Sequence, residues 1–235
     1  MKSRIAELIR LKNHPVAVCR EDALPEGALS FRPGVWGCVV ALLAAAANGK
    51  TAAFDKETVV CAGGRAGLGL EPFQTGVIEY FLSVGGKGPK PGEFYKKSPE
   101  LALDFLRSLP DWRTEKAIVF RPLDELPEGL SPDGVVFLVN ADQLSGLVTL
   151  ANYDASRQDN VKLLFGSGCA QTALLPFGGD GKSCVVGLTD PSARKCIGKD
   201  LLSFSIPYGR FLEMEKEADG SFLTKETWQE IAKRL

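Results

Sequence analysis

The stretch "DGVVFLVNADQLSGLVTLANY", residues 133–153, decides the fold class. Its first part, "GVVFLV" (134–139), is an unbroken apolar run of strand length, the pattern of a strand covered on both faces. Directly behind it, "ADQLSGLVTLANY" (141–153) reads as a helix. The same alternation extends outward. "SRIAELIRLK" (3–12) places Ile5, Leu8, Ile9 and Leu11 at helical spacing, and "PVAVC" (15–19) reads as a buried strand. A helix is predicted from about Gly37 to Ala47, strands at "TAAFD" (51–55) and "TVVC" (58–61), and helices over 74–84 and 98–109. "KAIVF" (116–120) and "VKLLF" (161–165) read as strands, with a short helix beginning at "CAQTALLP" (169–176). "SCVVGL" (183–188) and "LLSFSIP" (201–207) are late strands. "TKETWQEIAKRL" (224–235) is an amphipathic helix with Thr224 as its N-cap. These elements predict an α/β (α+β) protein, one compact domain over 1–235 with a mixed sheet flanked by helices.

Two loops resemble each other, "VCREDALPEGALS" (18–30) and "VFRPLDELPEGLS" (119–131). Either the chain is internally duplicated, with halves 1–95 and 96–235, or common turn residues coincide. A duplication would bring the loops at Cys61 and Cys169 to equivalent places, and Asn140 or Asp142 would stand where Cys38 stands in the first half. No linker cuts the chain; "GGKGPKPGEF" (85–94) is its most loop-like stretch.

The charges balance, 28 basic against 29 acidic, and no long run has one sign. That predicts no nucleic-acid partner and no anionic membrane surface. The longest apolar run, "CVVALLAAAA" (38–47), is about half of a membrane span. The first residues mix charges with apolar side chains, unlike a signal peptide, so a cytoplasmic location is expected. In that compartment the six cysteines are expected as thiols or metal ligands rather than disulfides.

Several familiar motifs fail on inspection. "GGDGKS" (178–183) has Pro176 where a P-loop needs glycine and is followed by a strand-like run, so it reads as a hairpin turn. "GGRAGLG" (63–69) has the wrong glycine order for a dinucleotide fingerprint, although backbone N–H groups there could hold an anion beside Arg65. His14 is the single histidine, which leaves no standard base for a thiol nucleophile elsewhere. Cys-x-x-Cys does not occur.

Context separates the cysteines. Cys19 and Cys184 lie in apolar strand-like runs, and Cys196 sits among charges in "ARKCIG"; all three read as incidental. Cys38, Cys61 and Cys169 each lie at a turn beside glycine, and Cys38 and Cys169 open helices. Helix N-termini and exposed N–H groups favour thiolate, and glycine lets backbone approach a bulky group. Three such thiolates could share a metal or an iron–sulfur cluster and leave one position open.

The chain resembles the prokaryotic "domain of unknown function 169" family, common in archaea and anaerobic bacteria. The likeness is carried by "HPVAV", by Cys38 with its Ala-rich helix ending in "ANGK", by "CAGGRAGLGL" and "KAIVFRPLDEL", and by "PDGVVFLVNADQ", "GSGCAQTALLPF" and "LLSFSIPYGRF". It runs from about residue 5 to 215. The resemblance implies an α/β fold and a shared cysteine set at Cys38, Cys61 and Cys169, for which a metal or iron–sulfur role is plausible. Cys184 and Cys196 fall outside the matching pieces.

The expected function is therefore a cytoplasmic protein that binds a metal or iron–sulfur cluster through those three cysteines, a [4Fe–4S] cluster ahead of zinc. Gly63, Gly64 and Gly168 would donate backbone hydrogen bonds, Arg65 would balance charge, and Asn140 would line the pocket. The open position would handle a small molecule or electrons from a redox partner. The alternative is an anion-binding module using the Gly63–Gly69 and Gly166–Gly168 loops. A thiol enzyme ranks third. A homodimer is the commonest assembly for such a chain.

Overall fold

The computed structural model describes residues 1–88 and 91–235; Pro89 and Lys90, within the loop-like stretch 85–94, lie outside the described residues. Seven strands form one mixed sheet: β1 (Val16–Glu21), β2 (Ala52–Phe54), β3 (Ala117–Pro122), β4 (Gly134–Val139), β5 (Val161–Leu163), β6 (Cys184–Gly187) and β7 (Leu202–Pro207). Their order is β2-β3-β1-β4-β7-β6-β5, and of the paired strands only β5 and β6 run parallel. Ten helices are present among the described residues, and the ones that build the two layers are α1 (Arg4–Leu8), α2 (Val39–Ala47), α3 (Ala62–Gly67), α6 (Ala141–Leu150), α9 (Tyr208–Glu217) and α10 (Glu226–Ala232). The others are α4 (Ile78–Leu82), α5 (Pro99–Arg107), α7 (Leu175–Phe177) and α8 (Pro191–Arg194). The expected α/β architecture holds.

The opening stretch explains itself in this frame. β4 lies at the middle of the sheet and all six of its residues are buried. Alternation then sorts them by face. Val136 and Leu138 join the core under α2, while Val135, Phe137 and Val139 join the core under α1, α6, α9 and α10. A strand covered on both sides needs apolar residues at every position, hence the continuous run. α6 starts at once because Asn140 caps it: its side chain accepts from Gln143 N at 3.0 Å, and Gln143 Oε1 accepts from Asn140 N at 3.1 Å.

Several expectations change, among them the helix over 3–12, cut to Arg4–Leu8, and the strand over 161–165, cut to Val161–Leu163. "TVVC" (58–61) is not a strand, because Asp55 and Thr58 bond each other's backbone N–H and turn the chain away after β2. Val59 is buried from an irregular segment instead. Thr224 is not the cap of the last helix: its hydroxyl donates back to Asp219 O and Ser221 O, both at 3.2 Å, and Lys225 holds the cap position. "GGDGKS" is a turn between α7 and β6 rather than a hairpin, closed by Asp180 accepting from the backbone N–H of Lys182 and Ser183. The helix over 74–84 shortens to Ile78–Leu82.

The two "LPEG" loops follow β1 and β3, which are antiparallel neighbours. Beyond them the order diverges, since β4 has no counterpart before α2, and α2 and α6 pack on opposite faces of the sheet.

Candidate functional site

The six cysteines divide by face of the sheet. Cys19 and Cys184 are fully buried in the layer with α1, α6, α9 and α10. Cys38, Cys169 and Cys196 belong to the other layer, and Cys61 stands beside them at the start of α3. No disulfide links the six among the described residues.

Each of the three glycine-flanked cysteines begins a helix. Cys38 is the N-cap of α2. Cys61 is the N-cap of α3, where its sulfur accepts from Gly64 N at 3.3 Å. Cys169 precedes a π-turn, Ala170–Leu174, that runs into α7. Pro176 has no N–H to give Thr172 four residues back, and the helix widens in the turn before it.

Cys169 is the centre of the group. Its thiol donates to Gly63 O at 3.5 Å and lies 3.3 Å from Ser167 Oγ. Burial pushes its pKa from 9.0 up to about 12; Cys61 and, more weakly, Cys38 and Asp190 push the same way, against Ser167. Burial likewise raises Cys38 to about 11, opposed by the backbone N–H groups of Val40 and Ala41 at the start of α2. Both are thus protonated thiols near neutral pH, kept so by dry surroundings and by neighbouring cysteines.

The glycines do a different job from the one expected. A Cβ on Gly64 would run into Val39 of α2. On Gly67 it would lie 2.9 Å from Cys169 Sγ, and on Gly168 2.7 Å from Ala193 Cβ. They let α2, α3, α8 and the π-turn close around the sulfurs. Gly63 has open space at that position, and its contribution is the carbonyl under Cys169.

The other predicted residues sit elsewhere or are already engaged. Arg65 turns inward, donating to Val59 O at 2.7 Å and pairing with Glu71 at 3.4 Å. Gly168 N donates to Asp190 Oδ2 at 3.0 Å. Asn140 is spent on capping α6, in the layer on the far side of the sheet. His14 pairs with Asp124 at the surface, 3.0 Å away.

Two residues at the site had no sequence signal that marked them. Asp190 is buried and accepts from Gly168 N, Ser192 N and Ser192 Oγ, so one carboxylate joins the turn before Cys169 to the start of α8. Cys196, read as incidental, packs against the same core cluster as Cys38 and helps to raise its pKa.

Among the described residues no three His, Cys, Asp or Glu side chains stand close enough together to hold a metal ion. The Cys169 thiol instead meets the Gly63 carbonyl and the Ser167 hydroxyl, and the Cys61 sulfur the Gly64 N–H. No helix among the described residues is long and apolar enough to cross a membrane. A family model, DUF169, described as "Uncharacterised ArCR", matches residues 4–217. No curated protein and no solved structure matches the chain.

Proposed function

The chain belongs to the DUF169 family, and within that frame we propose that it binds a single soft metal ion, zinc by preference, through Cys38, Cys61 and Cys169. The observation that supports the proposal is that Cys61 and Cys38, each at the start of a helix, both act on buried Cys169 and raise its pKa. A dication would neutralise the thiolates that otherwise repel one another, and the helix N-termini favour the same ionised form. Three protein ligands leave a fourth position for water or a small molecule, the arrangement of a site that acts on what it binds.

Because the thiols start protonated, binding must release protons. Zinc titrated into reduced, metal-free protein is expected to bind one to one, with proton release measured in weakly buffered solution. Cys61→Ser and Cys169→Ser are expected to weaken binding by tenfold or more while circular dichroism stays unchanged. Wild-type protein that gives up its zinc to a weak chelator, or variants that bind as tightly as wild type, would sink the proposal. Acid-labile sulfide in protein purified without oxygen would instead favour an iron–sulfur cluster.

The anion-binding alternative is less favoured. The N–H groups of Gly64 and Gly168 are taken by Cys61 and Asp190, and Arg65 faces Val59 and Glu71.

A further inference from the structure

The "LPEG" loop after β1 has no part in the cysteine site. It is tied alongside β2: Leu29 N donates to Thr51 O at 2.9 Å, and Leu29 O accepts from Ala53 N at 2.8 Å. A cavity of about 500 Å³ is walled by this loop, by Lys50 and Thr51 just before β2, and by Arg121 of β3. Arg121 continues the alternation of Val119, so it leaves the sheet on the face opposite the core that holds Cys38 and Cys169. Three charged residues line the cavity: Glu26, Lys50 and Arg121. Glu21 fixes Arg121, accepting from Nε at 3.0 Å and from Nη2 at 2.8 Å, with the two side chains only 13% and 19% exposed. The remaining nitrogen, Nη1, has no hydrogen bond among the described residues, which leaves two N–H donors already oriented. Lys50 and Glu26 are exposed, and among the described residues neither charged group has an ion pair or a hydrogen bond. Ser30 Oγ, in the same wall, is buried without a partner.

We propose that this cavity binds a small zwitterion, an α-amino acid with an apolar side chain. Glu21 already balances the charge of Arg121, and Glu26 offsets Lys50, so a simple anion gains little from the local field. A ligand that carries both signs meets both of the free groups. Its carboxylate takes the Nη1 donors of Arg121 and the ammonium of Lys50, and its own ammonium faces Glu26. The Ser30 hydroxyl is a further donor for that carboxylate, one that the protein leaves unused. Pro25, Ala28 and Leu29 supply an apolar wall, and Leu29 is 43% exposed there. Apolar lining with a few placed polar groups is the usual make-up of a small-molecule site, and the volume is within the usual range. Because Glu21 holds Arg121 and β2 holds the loop, little ordering is left to be done on binding. The site is independent of any metal at the cysteines.

The test is calorimetric titration of the full chain, freed of metal, with L-leucine, L-isoleucine, L-methionine and L-phenylalanine singly. Each is paired with the acid that lacks its amino group (4-methylpentanoate for leucine) and with the amine that lacks its carboxylate (3-methylbutylamine for leucine). At least one amino acid is expected to bind one to one, at least tenfold more tightly than its acid and its amine. Lys50→Met is expected to weaken that amino acid at least fivefold. Glu26→Gln is expected to abolish its preference over the acid. Both substitutions fall on exposed side chains, so circular dichroism is expected to stay that of wild type. An acid that binds as tightly as its amino acid would make the cavity a plain anion site and overturn the proposal. So would the failure of all four amino acids to bind at millimolar concentration, or unchanged affinity in Lys50→Met.

Discussion

At Asp190 one buried carboxylate serves two backbone segments. It accepts from Gly168 N and from Ser192, so the turn before Cys169 and the start of α8 depend on the same two oxygens. Removing it leaves a buried N–H without a partner, at about 1–3 kcal/mol for such a group. Asp190→Ala is expected to lose that much in urea denaturation, and Asp190→Asn less, since an amide oxygen still accepts from one of the two. An alanine variant as stable as wild type would mean the turn closes without this carboxylate. Nothing in "GLTDPSARKC" marks Asp190 for this role. Its cap role is real and its second role, towards Gly168, joins residues far apart in the chain. The glycines were visible but misread for a related reason: a sequence shows that Gly67 lacks a side chain, not that Cys169 occupies the space.

Elements were legible where burial is uniform and obscure where it is partial. "GVVFLV" could hardly be anything but a central strand, and the Ala-rich run after Cys38 is a helix of nine residues as its composition suggests. "TVVC" has the same look and is irregular, because apolar residues also fill the underside of loops and no strand lies alongside to pair with it. α9, "YGRFLEMEKE", is hidden by its charges, since it buries only Phe211 and Met214. The contact between α2 and α3 gives an element-scale test. α3 is six residues long with three glycines, a weak helix by propensity, so its position depends on packing against α2. Gly64→Ala improves helix propensity yet drives a methyl into Val39. It is expected to destabilise by about 1–3 kcal/mol in urea melts, as overpacking does. Pairing it with Val39→Ala is expected to recover part of that loss. A stabilised single variant would show that α3 can drift from α2.

At the scale of the molecule the sheet divides two kinds of cysteine. Cys19 and Cys184 lie in the layer away from the site, and burial lifts each from 9.0 to about 12. A raised folded pKa means the contribution is intact below pH 9.0 and is lost as pH climbs towards 12, where the unfolded chain ionises and the folded one resists. The melting temperature is therefore expected to fall between pH 8 and pH 10.5. Cys19→Ala/Cys184→Ala, though less stable at pH 8, is expected to show a shallower fall; equal slopes would place the alkaline sensitivity on other groups. Cys196 shows how far the sequence carries at this scale. It sits among charges in "ARKCIG", and its place against the same core cluster as Cys38 comes from the packing of two loops that no local pattern encodes.

The strand order carries a consequence for how the chain is made. β7 is the last strand in sequence, yet it lies between β4 and β6 and pairs with all six residues of β4. During synthesis β2, β3, β1 and β4 can assemble as soon as residue 139 is available, but β4 then presents an open apolar edge while the next sixty or so residues are added. At about 5–20 residues per second, that edge is bare for several seconds. A chain stalled before residue 202 would leave the β4 edge unpaired, its backbone N–H and C=O groups open to a strand of another molecule.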